Sequence, residues 1–265
     1  MNDRQAVLRI RNLKTYFGGK KNIVKAVDGV DLDVWPGRIT ALVGGSGSGK
    51  SVISRSVLNL IEPPGKIVEG QVFLDDRDLL TLSEKEMRKI RGKDIAMIFQ
   101  EPTCAMNPVV KVKDHLFEAV HIHNRGIKKK DSQENFRRVL NQVGLNDPDR
   151  ILESYPFELS GGMCQRVMVA MGILENARIL IADEPTSSLD LTTQLAILDE
   201  LIRLKEEGMG IILITHDLGV VAQTADDMYV IKDGKIVEYG NVEKVFRNPQ
   251  HTYTQYLMEP LDIRK

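Results

Sequence analysis

Cysteine is almost missing from this chain of 265 residues, with Cys104 and Cys164 the whole complement. Two thiols make neither a disulfide framework nor a metal cluster. Net charge is also close to absent, at −1, so no global basic field points to nucleic acid. Lys128-Lys129-Lys130 is a short basic run that reads as a solvated helix start or loop. No apolar stretch approaches the roughly eighteen residues needed to cross a bilayer. Met1-Asn2-Asp3-Arg4-Gln5 lacks the apolar core of a secretion signal. The chain therefore reads as cytosolic, with docking on a membrane protein left open. Internal repeats and low-complexity linkers are missing too. The length suits one domain with an inserted subdomain, or two small domains.

What is present is concentrated in residues 44–51, Gly44-Gly45-Ser46-Gly47-Ser48-Gly49-Lys50-Ser51. This is a complete G-x-x-x-x-G-K-[ST] phosphate loop. Ile39 to Val43 before it reads as a buried strand. Val52 to Leu60 after it suits a helix, and strand, glycine loop, helix is the context the motif requires. Glycines let the backbone turn its N–H groups around a phosphate, and the helix start adds a positive dipole end. Lys50 would reach the terminal phosphates, and the Ser51 hydroxyl would ligate Mg²⁺. A glycine-rich turn that merely precedes Lys-Ser is the bland alternative, and the flanking strand and helix weigh against it. The implied ligand is a nucleoside triphosphate.

Along the chain, short strands are expected at Val7–Ile10, Val30–Val34 and Ile39–Val43, punctuated by Asp28-Gly29 and Pro36-Gly37. Gly70–Leu74 predicts another strand, with a turn at Asp75-Asp76. Ser83 with Glu86 is a capping-box pattern for a short helix to Arg91. Asp94–Phe99 is strand-like and stops at Gln100-Glu101-Pro102. From about Lys111 to Leu174 the text turns helical. Phe136, Val139, Leu140 and Val143 show helical spacing that Gly144 ends. Strands return at Ile179–Ala182 and Ile211–Ile214, with an amphipathic helix over Thr192–Lys205 between them. Asp226–Tyr239 reads as a hairpin through Asp233-Gly234.

The strand Ile179–Ala182 delivers Asp183 and Glu184 at its carboxyl end. Asp183 would hold Mg²⁺ through water, as in a Walker B motif. Glu184 could orient or deprotonate an attacking water. An ordinary acidic strand-end turn remains the other reading of this pair taken alone.

Leu159-Ser160-Gly161-Gly162-Met163, followed by Gln165-Arg166, resembles the signature motif of the ATP-binding-cassette (ABC) ATPases. The other motifs of that family fall in order. Gln100 resembles the Q-loop glutamine, Ser187-Ser188-Leu189-Asp190 the D-loop, and His216 the switch histidine. Phe17, with Tyr16 beside it, sits where the family places an aromatic on adenine. Strand alternation lets only one of the two face the base, and Phe17 is the choice.

The resemblance covers nearly the whole chain. It implies an α/β P-loop NTPase fold with a RecA-like core, an antiparallel β subdomain and an inserted helical subdomain. The core would take residues 1–100 and 175–247, the helical subdomain 101–174 and a short tail 248–265. It implies ATP and Mg²⁺ as ligands. Glu184, His216 and Gln100 would be catalytic, with Ser51, Gln100 and Asp183 at the metal. Nucleotide would be held by Phe17, by Gly44 through Ser51, and by Ser160, Gly161, Gly162 and Asp190. Ser160 and Gly162 would close over the ATP of another subunit, so a second ABC ATPase is an implied partner; the resemblance favours a heterodimer, while the residues themselves ask only for a second signature motif. Two transmembrane permeases and an extracytoplasmic substrate-binding protein complete the set. No nucleic acid is implied. The location would be peripheral, on the cytoplasmic face of the membrane.

Met163, Ile98-Phe99-Gln100-Glu101-Pro102 leading to Asn107-Pro108, and Asn248-Pro249-Gln250-His251-Thr252-Tyr253-Thr254 resemble the peptide/nickel importer branch. Peptide importers usually carry Glu at position 45 and a cysteine-bearing extension. Gly45, the last residue Lys265 and the lack of cysteine after Cys164 tilt the expected cargo to nickel or a nickel chelate, with di- or oligopeptides as the alternative.

His115, His121 and His123 invite a metal site. However, histidines at i and i+2 face different ways on a helix, so surface helix histidines are expected. Cys164 and Trp35 read as packing residues. A soluble ABC ATPase acting on DNA or ribosomes would carry coiled coils or a second cassette, and neither is here. Intact Lys50, Asp183, Glu184 and His216 argue against a scaffold without turnover.

Overall fold

A computed structural model describes residues 5–19, 22–101, 105–124, 126–187 and 189–259. Pro102, Cys104, Ser188 and the tail past 259 lie outside the described residues. In chain order come β1 (Leu8–Gly19), β2 (Asn22–Val34), β3 (Ile39–Val43), α1 (Lys50–Val57), β4 (Lys66–Leu74), β5 (Arg77–Asp78) and α2 (Glu84–Ile90). Then follow β6 (Ile95–Ile98), α3 (Val112–His121), α4 (Lys129–Gln142), α5 (Pro148–Glu153), α6 (Gly161–Glu175), β7 (Ile179–Asp183) and α7 (Leu191–Glu206). The chain continues with β8 (Gly210–Thr215), α8 (Leu218–Thr224), β9 (Asp227–Lys232), β10 (Lys235–Asn241), α9 (Val242–Arg247) and α10 (Thr252–Met258). These form two compact units, residues 1–88 with 205–265, and residues 89–204. The expected helical segment 101–174 lies wholly inside the second unit, together with β6 and β7.

In the first unit an antiparallel sheet runs β2-β1-β4-β5. Its strands are longer than the expected short runs. Asp28-Gly29 does not end β2. Lys14 pairs with Asp28, and Gly29 takes a φ of +85° inside the strand. The register shifts beside it mark bulges, where glycine absorbs the backbone kink while pairing continues on both sides. The same unit holds β3 with β8 parallel on one side and β9 parallel on the other; β10 is antiparallel to β9. Every residue of β3 and β8 is buried. Unbroken apolar runs such as Ile211–Ile214 are what a parallel strand covered on both faces requires.

Ala41, Val43, Met228 and Val230 form a core with Val221 of α8 and Val242 and Val245 of α9. Tyr253 and Leu257 of α10 pack onto it. The expected capping box is present at α2, where Glu86 Oε2 accepts from both the Ser83 amide and hydroxyl.

The second unit contains the parallel pair β6–β7 and the helices α3 to α6. Phe136, Val139, Leu140 and Val143 are buried as their spacing predicts, and Gly144 ends that turn at φ +76°. The histidines are not a surface set. His115 is 7% exposed, with Nε2 3.1 Å from the Asn107 carbonyl. His121 stacks on Phe117, and His123 lies past the end of α3 with Nε2 2.7 Å from the Arg91 carbonyl. Among the described residues no group of three His, Cys, Asp or Glu could hold a metal ion. None of the described helices is long and apolar enough to cross a membrane.

Glu175 ends α6 beside Gly92 and His123. Burial pushes its carboxyl up from 4.5 to about 7. A carboxyl raised in this way keeps its proton after the unfolded chain has lost its own. Stability therefore falls as pH rises between those two values and stays reduced above them. Glu175→Gln is expected to stabilise the protein at pH 8 by roughly 1–3 kcal/mol and to add nothing below the unfolded pKa. Urea titrations at pH 8 and pH 4 check this, and coincident curves at pH 8 would remove the burial argument.

Candidate nucleotide site

The phosphate loop joins β3 to α1 in the first unit. Its outer glycines are dictated by neighbouring backbone. A Cβ on Gly44 would lie 2.3 Å from the Ile231 carbonyl oxygen. One on Gly49 would lie 2.2 Å from the Ala26 carbonyl oxygen, and Gly49 also holds a φ of +109° as the N-cap of α1. No other residue fits either place without moving β9 or β2. The β9–β10 turn braces the loop as well, its Gly234 amide donating to Ser48 O at 3.0 Å.

The tip of the loop is open. Ser46 and Gly47 are exposed, and nothing lies within 4 Å of a Cβ built on Gly47. The Ser48 hydroxyl is buried without a hydrogen-bond partner among the described residues. Lys50 is 7% exposed, and its ammonium donates to Gly44 O at 2.8 Å and Gly45 O at 2.9 Å. An orphaned buried hydroxyl, a turn of amides and a buried cation around open space fit a phosphate chain. Ser51, half-buried in the first turn of α1, is placed to offer its hydroxyl to a divalent ion.

The same unit carries the two aromatic candidates and His216, the candidate switch histidine. Tyr16 is engaged elsewhere. Its hydroxyl donates to Asp28 Oδ1 at 2.5 Å, and this carboxylate pushes the phenol up to about 12. Lys25 sits over its ring. Phe17 lies half-buried against Ile61 and Gly65, where a Cβ on Gly65 would come within 2.5 Å of the ring. His216 follows the last residue of β8 and is exposed.

In the second unit β7 ends on Asp183, which is 2% exposed. Glu184 next to it holds a φ of +49°. A non-glycine residue in that region costs of order 1 kcal/mol, and such strain gathers at functional sites. The turn that imposes it is visible, since Glu184 O accepts from both the amide and hydroxyl of Ser187. Gln100, past the end of β6, points its amide at Glu184, Nε2 to Oε2 3.4 Å.

Ser160 is the N-cap of α6, its hydroxyl accepting from the Met163 amide at 3.3 Å. Ser160 and Gly161 are exposed, and a Cβ on Gly162 would meet Leu189 at 3.1 Å. Asp190 caps α7, accepting from the Thr193 amide and hydroxyl at 3.0 and 2.7 Å. The hydroxyl bond is the main cause of its lowered pKa. Cys164 is buried with its thiol pushed up by burial, a packing residue as expected.

The structure also adds residues to which sequence reasoning gave no role. Gln165 donates to Pro185 O at 3.2 Å, tying α6 to the turn after Asp183. Tyr253 touches the phosphate loop at Gly45. Both contacts join residues far apart in sequence, and no local pattern announces them.

Buried strands that deliver a glycine loop, Lys-Ser and an Asp-Glu pair define a P-loop nucleoside triphosphatase. A family model described as ABC transporter matches residues 27–187. The chain belongs to the ABC transporter family, and its cassette is an ATP-hydrolysing P-loop enzyme that takes ATP with Mg²⁺.

Among its relatives is the peptidoglycan transport ATP-binding protein YejF of Agrobacterium fabrum, 45% identical over 96% of this chain. The chain spans about half of that relative, 47% of its length. The oligopeptide transport ATP-binding protein AppD of Bacillus subtilis is 42% identical over 97% of this chain and 79% of its own length. The dipeptide transport ATP-binding protein DppD of Haemophilus influenzae is 44% identical over 97% and 78%. A solved dimeric ATP-binding cassette with ADP and Pi bound superposes with a TM-score of 0.81 at 27% identity, over 89% of this chain and 98% of that one. Nickel finds no support among these relatives.

Proposed function

We propose that this chain is the ATP-hydrolysing subunit of an importer of peptides, peripheral on the cytoplasmic face of the membrane. It would work with a second cassette, two membrane permeases and an extracytoplasmic binding protein. The observation that carries the reading is similarity over 96–97% of the chain to proteins named for peptidoglycan, oligopeptide and dipeptide transport. The expected tilt to nickel rested on the last residue Lys265, the lack of cysteine after Cys164 and Gly45, and these relatives do not support it. That glycine has a local reason, because a Cβ there would lie 3.1 Å from the Tyr253 hydroxyl.

In this reading Phe17 stacks on adenine, and Gly44 through Ser51 hold the phosphates, with Lys50 turning from its two carbonyls to the anion. Ser51, Gln100 and Asp183 would hold Mg²⁺, which would supply positive charge to the phosphates when bound. Glu184 takes the proton of the attacking water, His216 contacts the terminal phosphate, and Asp190 holds the D-loop end by its cap. Ser160, Gly161 and Gly162 face the nucleotide of the second cassette. The exposure of Ser160 and Gly161 supports this role, because an N-cap in solvent leaves helix amides available to an anion.

Uptake by cells lacking the gene, supplied with labelled dipeptide or labelled nickel, tests the reading. Loss of dipeptide uptake with normal nickel uptake is expected, and the reverse would return the cargo to nickel.

A further inference from the structure

The peptide unit joining Gly44 to Gly45 is held at both ends. Its carbonyl, Gly44 O, accepts from the Lys50 ammonium at 2.8 Å. Its amide, Gly45 N–H, donates to the Tyr253 hydroxyl at 2.8 Å. Carbonyl and amide of a trans peptide point in opposite directions. Lys50 and Tyr253 therefore fix the plane of this peptide from opposite sides.

The segment that delivers Tyr253 is itself fastened. Glu238 of β10 accepts the Gln250 amide at 2.7 Å and the His251 amide at 3.0 Å. Burial opposes ionisation of Glu238, yet these backbone donors leave its pKa lowered. His251 Nδ1 caps α10 by accepting the Tyr253 amide at 3.1 Å. The Tyr253 ring packs on the core of β3 and β9, with the Lys232 ammonium 5.0 Å from its centre. The hydroxyl thus reaches the loop from a rigid base. Gly45 lacks the Cβ that would crowd it.

We propose that Tyr253 is a positioning residue of the phosphate loop, holding the Gly44–Gly45 peptide in place when Lys50 leaves Gly44 O for a phosphate. Without that anchor the peptide is free to rotate once Lys50 departs, and binding must order it again. The proposal rests on the nucleotide-site reading, and it gives residues 248–258 a role in nucleotide affinity.

Tyr253→Phe removes one oxygen and keeps the ring in the core. A neutral hydrogen bond contributes about 0.5–1.5 kcal/mol, so the Kd for Mg·ATP and for ADP should rise about 3- to 10-fold. The nucleotide-free Tm should fall by no more than about 5 °C, since one hydrogen bond is lost there too while ring packing is unchanged. The kcat at saturating ATP should stay within about twofold, because the hydroxyl touches no reacting atom. Glu238→Ala frees the segment from below. It should weaken nucleotide similarly, and adding Tyr253→Phe to it should cost nothing more.

Fluorescent-nucleotide titration and thermal melts of the full chain measure all four proteins. An unchanged Kd for Tyr253→Phe, a fall in nucleotide-free Tm well beyond what one hydrogen bond costs, or additive effects of the two substitutions would each overturn the proposal. A parent chain that binds no ATP would instead overturn the nucleotide-site reading beneath it.

Discussion

Lys50→Ala is expected to raise the Kd for Mg·ATP by roughly 10- to 100-fold. A hydrogen bond to a charged group is worth about 1.5–3 kcal/mol, and Lys50 is the loop's one cationic side chain. The structure adds a second cause. The ammonium braces Gly44 O and Gly45 O from within the loop, in a site with 7% exposure. Alanine removes this brace along with the phosphate partner, so the empty loop should loosen too. Lys50→Met shows how much the buried aliphatic stem adds, because it keeps the stem and loses the ammonium, and with it both the brace and the phosphate partner. Nucleotide titration of both variants is the measurement. The methionine variant should bind nearly as weakly as the alanine variant, since charge dominates. Parental affinity in Lys50→Met would take this side chain out of the phosphate site.

What sequence reasoning could reach is decided by range. The phosphate loop, the Asp183-Glu184 pair and the Ser83–Glu86 capping box are contiguous patterns, and each lies on the element its neighbours predict. Contacts between distant segments were not legible. Asp28-Gly29 reads as a stop because glycine after an acid is turn chemistry. In the fold, pairing to β1 on both sides carries β2 through it as a bulge. Helix α1 begins at Lys50 and ends at Val57, with Asn59 left-handed at φ +51°, rather than running from Val52 to Leu60.

The same limit applies within the site. Sequence supplies Gly44 and Gly49 as motif letters, but the reason for them is the carbonyls of Ile231 and Ala26. Gly45 looked like a cargo clue until Tyr253, far along the chain, appeared beside it. His115 reads as one of a surface trio because the i, i+2 spacing of His121 and His123 argues against a shared metal, yet the Asn107 carbonyl gives it a buried partner. Strand alternation lets only one of Phe17 and Tyr16 face a base, and the resemblance to the family supplies the choice of Phe17. The Tyr16–Asp28 bond that occupies the alternative is visible only in the fold.

Glu184→Gln is expected to leave ATP binding intact and to slow hydrolysis by about 10²–10⁴, the usual worth of a positioned general base. The substitution is nearly isosteric and keeps an oxygen for the Gln100 amide, which now reaches Glu184 Oε2 at 3.4 Å. The left-handed backbone at φ +49° is set by Ser187 bonding to the residue 184 carbonyl, a contact the side-chain change does not touch. Asp183, buried at the end of β7, is also untouched, so the acid proposed to hold Mg²⁺ remains. What disappears is the carboxylate proposed to accept the proton of water, together with its repulsion of a bound phosphate chain. Binding should therefore hold or tighten as turnover falls. Where the second cassette is present, ATP should accumulate in a closed pair that cannot discharge. Steady-state ATPase assays with size-exclusion chromatography, with ATP and Mg²⁺ and the partner cassette present, read both effects on parent and variant. Turnover at the parental rate would show that another group accepts the proton, and the strained turn at Glu184 would then need a different explanation.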